Sequence, residues 1–148
     1  MGRVGGSADV ELDHPIDAVW AVVSDFDHAA EWQGTIGDIE VLERDAAGRG
    51  ARVTTSIDAK VKVLRSTAAV TYAEPTRVAW RQERGDLSAL EGSWTLEDLG
   101  GGRTRATYAL QIDPGFGLGM LIRGDVEEKL RQRLVLNRPE ELRRRLAG

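Results

Sequence analysis

The spacing of apolar residues changes character near the start of the chain. Residues 10–12 alternate between apolar and acidic side chains, which predicts a short strand. Beyond them, apolar residues recur every three or four positions, which predicts a helix with His14 as its N-cap and Pro15 as its first residue. A shorter helical turn is predicted to begin after Asp27 and to end near Trp32.

From residue 36 to residue 113 the apolar spacing becomes two, which is typical of strands with one buried face. The predicted strands centre on residues 39–41, 53–59, 64–72, 78–80, 90–96 and 106–112. The turns between them are short, so consecutive strands should pair in the antiparallel sense. We therefore expect one antiparallel sheet with an apolar face that another element must cover.

The covering element is predicted to be a long helix after the break at residues 113–115. Its apolar stripe contains Leu118, Leu121, Ile122, Val126, Leu130 and Leu134. Pro139 interrupts this pattern, so we expect a break or kink near Asn137 and a short terminal helix over residues 139–146.

Composition and charge place this α+β pattern in an ordinary globular chain. The chain has 148 residues, a formal net charge of −4 and no cysteine, which excludes disulfides and thiol chemistry. We expect one domain over residues 1–148. Apolar runs fall well short of the roughly 20 residues that span a bilayer, and the first residues lack the core of a signal peptide. A cytoplasmic location is the expectation.

The same residues resemble a known superfamily. The segments that carry the resemblance are HPIDAVW at 14–20, SDF at 24–26 with EW at 31–32, IEVL at 39–42, LEGSW at 90–94, and residues 104–113. They are similar to the START-like, Bet v 1-like (SRPBCC) superfamily, and in particular to its bacterial polyketide cyclase/dehydrase and lipid-transport branch. The resemblance implies a helix-grip fold, in which a curved antiparallel sheet of six to seven strands wraps around a long C-terminal helix, with two short helices after the first strand.

This arrangement predicts a cavity. One helix is about 10 Å wide, whereas six or seven strands spaced ~4.8 Å apart are roughly 30 Å across. The residues expected to line the cavity are Thr55, Ile57, Ser66, Trp80, Gln82, Leu90, Trp94, Tyr108, Phe116, Leu121, Ile122 and Val126. An alternative interpretation is that Trp80, Trp94 and Tyr108 fill this space as an ordinary core.

The predicted inward side chains bear on catalysis. Their polar members are Thr55, Ser66, Gln82 and Tyr108, with no carboxylate, histidine, lysine or arginine. General acid/base catalysis near neutral pH needs a titratable group, so this set favours binding over chemistry. A shift of one residue in strand register would instead turn Asp58, Arg65 or Arg81 inward.

Three functions follow from this reasoning. The leading hypothesis is binding or transport of an apolar small molecule such as a lipid, a polyketide or an isoprenoid. The rival is a polyketide aromatase/cyclase or dehydrase, a lyase-type enzyme in which Tyr108, Gln82 and Arg65 or Arg81 polarise carbonyl groups. A third class is a protein-interaction module that uses the exposed sheet face or the C-terminal tail.

Two motifs are interpreted as structural. Asp25, Asp27, His28 and Glu31 lack the spacing of known metal sites, so we predict no metal and interpret this acidic turn as the join between two short helices. The segment GGGRT at 100–104 lacks the lysine of a phosphate-binding loop and is interpreted as a hairpin turn. No cofactor is predicted. No basic stripe with interleaved aromatic residues occurs, which argues against nucleic-acid binding.

The glycine-rich segment at 113–120 is the predicted access route. Gly115, Gly117 and Gly119 alternate with Phe116, Leu118 and Met120. Glycine restrains the backbone little, so this segment is expected to be mobile. With its apolar side chains, it suggests a portal that admits a ligand or makes transient contact with a membrane surface. The alternative is a tight turn from strand to helix.

Overall fold

The computed structural model describes residues 4–60 and 62–148. Its strands are β1 (Val4–Leu12), β2 (Ile36–Arg44), β3 (Gly50–Asp58), β4 (Val63–Ala73), β5 (Arg77–Gly85), β6 (Ala89–Gly100) and β7 (Arg103–Asp113). Its helical elements are α1 (Ile16–Val23), a 3₁₀ helix (Phe26–Glu31), α2 (Phe116–Gly119), α3 (Asp125–Arg131), a π-turn (Gln132–Leu136) and α4 (Arg138–Ala147).

The seven strands form one antiparallel sheet in the order β1-β7-β6-β5-β4-β3-β2. β1 returns to pair with the last strand along its whole length, from Val4 opposite Ile112 to Leu12 opposite Thr104. The helical segment between β1 and β2 therefore connects the two edges of the curved sheet. The predicted helix-grip fold is confirmed.

The first two helical elements begin one or two residues away from their predicted starts. Pro15 has ψ 156° and is extended, so it occupies the N-cap position and α1 begins at Ile16. Its carbonyl accepts the backbone N–H groups of Ala18 and Val19. The 3₁₀ helix likewise follows Asp25 and not Asp27.

The C-terminal helix differs from the prediction at its start. The apolar stripe predicts a continuous helix from Leu118, but α2 ends at Gly119 and α3 begins only after Gly124, which has φ 55°. This positive φ lies outside the conformation that a helix interior requires. The long helix that packs across the sheet therefore covers residues 125–147.

The interruption predicted near Asn137 is present as a π-turn and not as a break. The Asn137 N–H donates to the Gln132 carbonyl at 3.0 Å, a five-residue step, while Gln132 and Asn137 keep right-handed helical backbone angles. Pro139 then falls in the first turn of α4, where a missing N–H costs little. The helix thus continues past the proline.

The core lies between the concave sheet face and these helices. Its most enclosed side chains include Leu12, Val19, Val78, Trp94 and Leu142. The outer sheet face carries ion pairs between neighbouring strands, such as Arg105 with Glu11 and Glu97. No described helix combines the length and apolar character needed to cross a bilayer.

Candidate functional site

A cavity of about 80 Å³ lies between the sheet, the 3₁₀ helix and the C-terminal helix. Its wall is mostly apolar. The lining residues are Val23, Asp25, Phe26, Ala29, Gln33, Ile36, Ile39, Val53, Thr55, Ile57, Ser66, Ala68, Val70, Trp80, Leu90, Trp94, Tyr108, Leu110, Ile112, Leu134 and Arg138. The predicted space between sheet and helix is therefore present.

Seven of the twelve predicted residues line this cavity. They are Thr55, Ile57, Ser66, Trp80, Leu90, Trp94 and Tyr108. Three of them form an aromatic cluster, in which the ring centroid of Tyr108 lies 5.9 Å from that of Trp80 and 4.9 Å from that of Trp94. The aromatic side chains thus fill much of the space, as the alternative interpretation held, and leave a cavity beside them.

Gln82 supports the wall without forming part of it. Its side-chain oxygen accepts the Ser66 hydroxyl at 2.8 Å, and its side-chain nitrogen donates to the Leu87 carbonyl at 2.8 Å. Both ends of the amide are therefore used within the protein. The structure places Gln82 in the role of holding the β5–β6 connection against β4.

The four predicted residues from the C-terminal region lie outside the cavity. Phe116 is 78% exposed and Leu121 is 59% exposed. Ile122 and Val126 are half-buried and pack against the edge of the core. Their placement differs from the prediction because residues 120–124 are not helical, so the stripe does not continue across the sheet.

Arg138 is the main lining residue that the sequence analysis missed. It is 2% exposed. Its Nη1 donates to Glu141 Oε1 and its Nη2 to Thr35 Oγ1, both at 2.7 Å. Its guanidinium carbon lies 5.5 Å from the centroid of the Tyr108 ring. The expectation that no charged side chain faces inward is therefore wrong.

A signal for Arg138 was present in the sequence. Leu130, Leu134, Arg138 and Leu142 follow one another at four-residue spacing, and the three leucines are buried. The break expected near Asn137 concealed this spacing, because Arg138 directly precedes Pro139 and a residue before proline is disfavoured in a helix. Because the helix continues through the π-turn, the arginine keeps its place on the buried face.

The acidic turn is mostly structural, with one side chain at the cavity. Asp27 pairs with Arg44 at 2.8 Å, which lowers the pKa of Asp27, and Glu31 pairs with Arg145 at 2.9 Å. Asp25 lines the cavity and lies 2.6 Å from His28 Nδ1. This contact raises the pKa of His28 above its usual 6.5. The turn joins the 3₁₀ helix to β2 and α4, while Asp25 supplies a carboxylate at the cavity rim.

The charged residues that a register error would have turned inward do not line the cavity. Asp58 is exposed at the end of β3, where it pairs with Arg133 of the π-turn at 3.0 Å. Arg81 pairs with Glu91 of the neighbouring strand at 3.1 Å. Arg65 is also exposed. The predicted phase of these strands is therefore correct.

Comparison with known proteins agrees with this architecture. A family model described as polyketide cyclase / dehydrase and lipid transport matches residues 12–137. Among proteins with curated descriptions, none matches the chain.

Several solved structures share the fold at low sequence identity. A START superfamily protein from Mycobacterium smegmatis has a TM-score of 0.83 and 21% identity, covering 99% of this chain and 98% of its own. The Zhui aromatase/cyclase from Streptomyces sp. R1128 has a TM-score of 0.75 and 18% identity, covering 99% and 94%. The protein Ara h 8.0201 has a TM-score of 0.65 and 12% identity, covering 99% of each chain.

Proposed function

The chain belongs to the polyketide cyclase/dehydrase and lipid transport family, and we propose that it binds an apolar small molecule in the cavity beneath the 3₁₀ helix. The observation that carries this proposal is the enclosed, largely apolar wall with few polar groups, which is the usual form of a small-molecule site. Lipids, polyketides and isoprenoids are the ligand classes that this wall suits.

The small volume of the cavity limits which ligands can bind without a change in the wall. At about 80 Å³ it is smaller than the roughly 300–1,000 Å³ typical of pockets for drug-sized ligands. Binding of a larger molecule therefore requires the wall to move outward. We propose that the 3₁₀ helix and β2 provide this movement, because Phe26, Gln33 and Ile36 are half-buried lining residues and the β2–β3 ladder contains register shifts.

This proposal moves the access route away from residues 113–120. Phe116 and Met120 do not line the cavity, although they are 78% and 50% exposed. Together with Leu121 they form an exposed apolar surface, which supports the transient membrane contact expected for this segment. Sedimentation with lipid vesicles tests that role. Phe116→Ser should reduce sedimentation without changing ligand uptake.

Ligand binding can be tested with two adjacent alanines. Ala68 lines the cavity, whereas Ala69 contributes to a depression on the outer sheet face. A screen of fatty acids, isoprenoid alcohols and naphthalene-type polyketide analogues should change tryptophan emission, since Trp80 and Trp94 line the cavity. A ligand at 100 times its Kd should stabilise the fold by about 2.7 kcal/mol.

The two variants give opposite expectations. Ala68→Phe should abolish the emission change and the ligand-induced rise in Tm, because the new ring occupies the cavity. Ala69→Phe should retain both. If the whole screen changes neither quantity in the unmodified protein, the proposal fails.

A second candidate function is that of an aromatase/cyclase. It is favoured by one observation: a basic and an acidic residue, Arg138 and Asp25, line the same cavity. A carboxylate can remove a proton from a carbon between two carbonyls, which is the first requirement for closing a ring in a poly-β-ketone. Asp25→Asn should then lower turnover of such a chain by about 10²-fold or more, while Asp27→Asn should not. An absence of turnover in the unmodified protein contradicts this function.

A further inference from the structure

Two of the three guanidinium nitrogens of Arg138 have hydrogen-bond partners among the described residues, and the third has none. Nη1 and Nη2 donate to Glu141 and to Thr35, which fix the side chain between α4 and the residue preceding β2. The Nε atom is fully buried and has no hydrogen-bond partner anywhere in the described part of the chain. Arg138 also lines the cavity.

A buried donor without an acceptor is unusual and destabilising. Most buried polar groups are paired, and one that is not loses its bonds to water without replacement. The Tyr108 ring, whose centroid lies 5.5 Å from the guanidinium carbon, offers the cation a π-face but no oxygen or nitrogen acceptor. The Nε–H is thus an unpaired donor on a side chain that lines the cavity.

The charge around Arg138 restricts what that molecule can be. Glu141 lies 2.7 Å from Nη1 and balances the positive charge. Asp25 adds a carboxylate to the same cavity. An anionic ligand would therefore bring an uncompensated negative charge into a mostly apolar space, which is costly.

We propose that Arg138 is a specificity-determining residue whose Nε–H binds a neutral carbonyl oxygen on an otherwise apolar ligand. Tyr108, which also lines the cavity, carries a hydroxyl that can supply a second donor. The inference rests on the proposed function, because it concerns which apolar molecules the cavity selects.

The test uses three probes of similar size: acetophenone as the ketone, ethylbenzene as the hydrocarbon and benzoate as the carboxylate. Calorimetry should show acetophenone binding on the order of tenfold more tightly than ethylbenzene, as expected for one hydrogen bond to a charged donor. Benzoate should bind more weakly than both. The infrared carbonyl band of bound acetophenone should lie at lower frequency than in hexane.

Variants separate the hydrogen bond from the charge. The double variant Arg138→Met/Glu141→Gln removes the donor and leaves no unpaired carboxylate, while glutamine keeps an oxygen for the Gly34 N–H that Glu141 accepts at 2.8 Å. Its preference for acetophenone over ethylbenzene should disappear, with ethylbenzene affinity changed less than about threefold. Glu141→Gln alone should keep the preference.

Each result that contradicts the expectation overturns a different claim. Equal binding of acetophenone and ethylbenzene, or a carbonyl band unchanged from hexane, overturns the role of Arg138 and leaves the binding proposal standing. Tighter binding of benzoate overturns the preference for a neutral ligand. Failure of all three probes to bind overturns the inference, whereas the proposed function is decided by the screen of larger ligands. The infrared measurement needs no variant, so the test remains decisive if the double variant does not fold.

Discussion

The indole ring of Trp80 lies directly against Gly92, its cross-strand partner on β6. A Cβ atom added to Gly92 would lie 2.6 Å from Trp80 Cε2, closer than non-bonded carbons approach. The glycine therefore makes the space that one wall of the cavity requires. Gly92→Ala should displace Trp80 and lower the free energy of unfolding by about 1–3 kcal/mol, the usual cost of overpacking.

Chemical denaturation measures this cost, and Gly117→Ala provides the comparison. A Cβ at Gly117 would meet nothing within 4 Å, and the residue lies in α2. Alanine should stabilise that site by up to about 1 kcal/mol. Equal effects at both glycines would contradict close contact between Trp80 and Gly92.

Two arginines on the same helix should differ sharply in their contribution to stability. Arg138 pairs with Glu141 in the interior, whereas Arg143 pairs with Glu140 at the surface, also three residues away. Arg138→Met leaves Glu141 without its partner and should cost about 3 kcal/mol or more. Arg143→Met should cost less than about 1 kcal/mol. Similar losses in the two variants would show that Arg138 is not enclosed.

The pH dependence of His28 gives a separate test. Its hydrogen bond to Asp25 raises its pKa in the folded state above the usual 6.5. The folded protein therefore binds more protons than the unfolded chain in this range, and the pair stabilises the fold fully below pH 6.5. This contribution is lost as pH rises through the raised pKa.

NMR titration of the His28 ring measures the shift directly. Asp25→Asn should lower the pKa of His28, since the first cause of its elevation is removed. Asp98→Asn, near the end of β6, should leave the pKa of His28 unchanged. A His28 pKa at or below 6.5 in the unmodified protein would contradict the contact.

The hydroxyl of Tyr72 should ionise at a higher pH than that of an exposed tyrosine. Its hydroxyl donates to the Gly50 carbonyl at 2.6 Å, and burial raises the pKa of Tyr72 to about 12. Because the unfolded tyrosine ionises near 10, stability should fall as pH rises above that value. The ultraviolet absorbance of tyrosinate measures this ionisation.

The chain has two tyrosines, Tyr72 and Tyr108, so a variant of each shows which one ionises near pH 12. Tyr72→Phe should remove the titration near pH 12 and lower stability by about 1 kcal/mol through loss of its hydrogen bond. Tyr108→Phe should leave that titration in place. If Tyr108→Phe removes it instead, the assignment is wrong.

Local periodicity was sufficient to predict the sheet and seven of the wall residues that it supplies. The alternation that includes Trp94 and Tyr108 has a period of two, and one buried face fixes which side chains point inward. The helical side of the cavity was harder to predict. A positive φ at Gly124 and a five-residue turn before Pro139 are backbone features that apolar spacing does not encode.

Arg138 illustrates the physical limit of that reasoning. A buried arginine is stable only if its partners come from distant parts of the chain, and here Thr35 is one of them. A sequence reader who assigns charged residues to the surface has no local reason to make an exception. The four-residue spacing of Arg138 from Leu134 and from Leu142 gives such a reason only after the helix is known to continue.

The π-turn at Gln132–Leu136 has a consequence for changes in chain length. A five-residue step holds one residue more than a regular helical turn, so deleting one residue there would restore regular geometry. The residues after the deletion would keep their positions, because the five-residue step already absorbs the extra residue within one turn. Arg138 and Leu142 would therefore stay on the buried face. A related chain without the extra residue can present the same side chain to the cavity, but an ungapped alignment would equate Arg138 with a residue about 100° further round the helix.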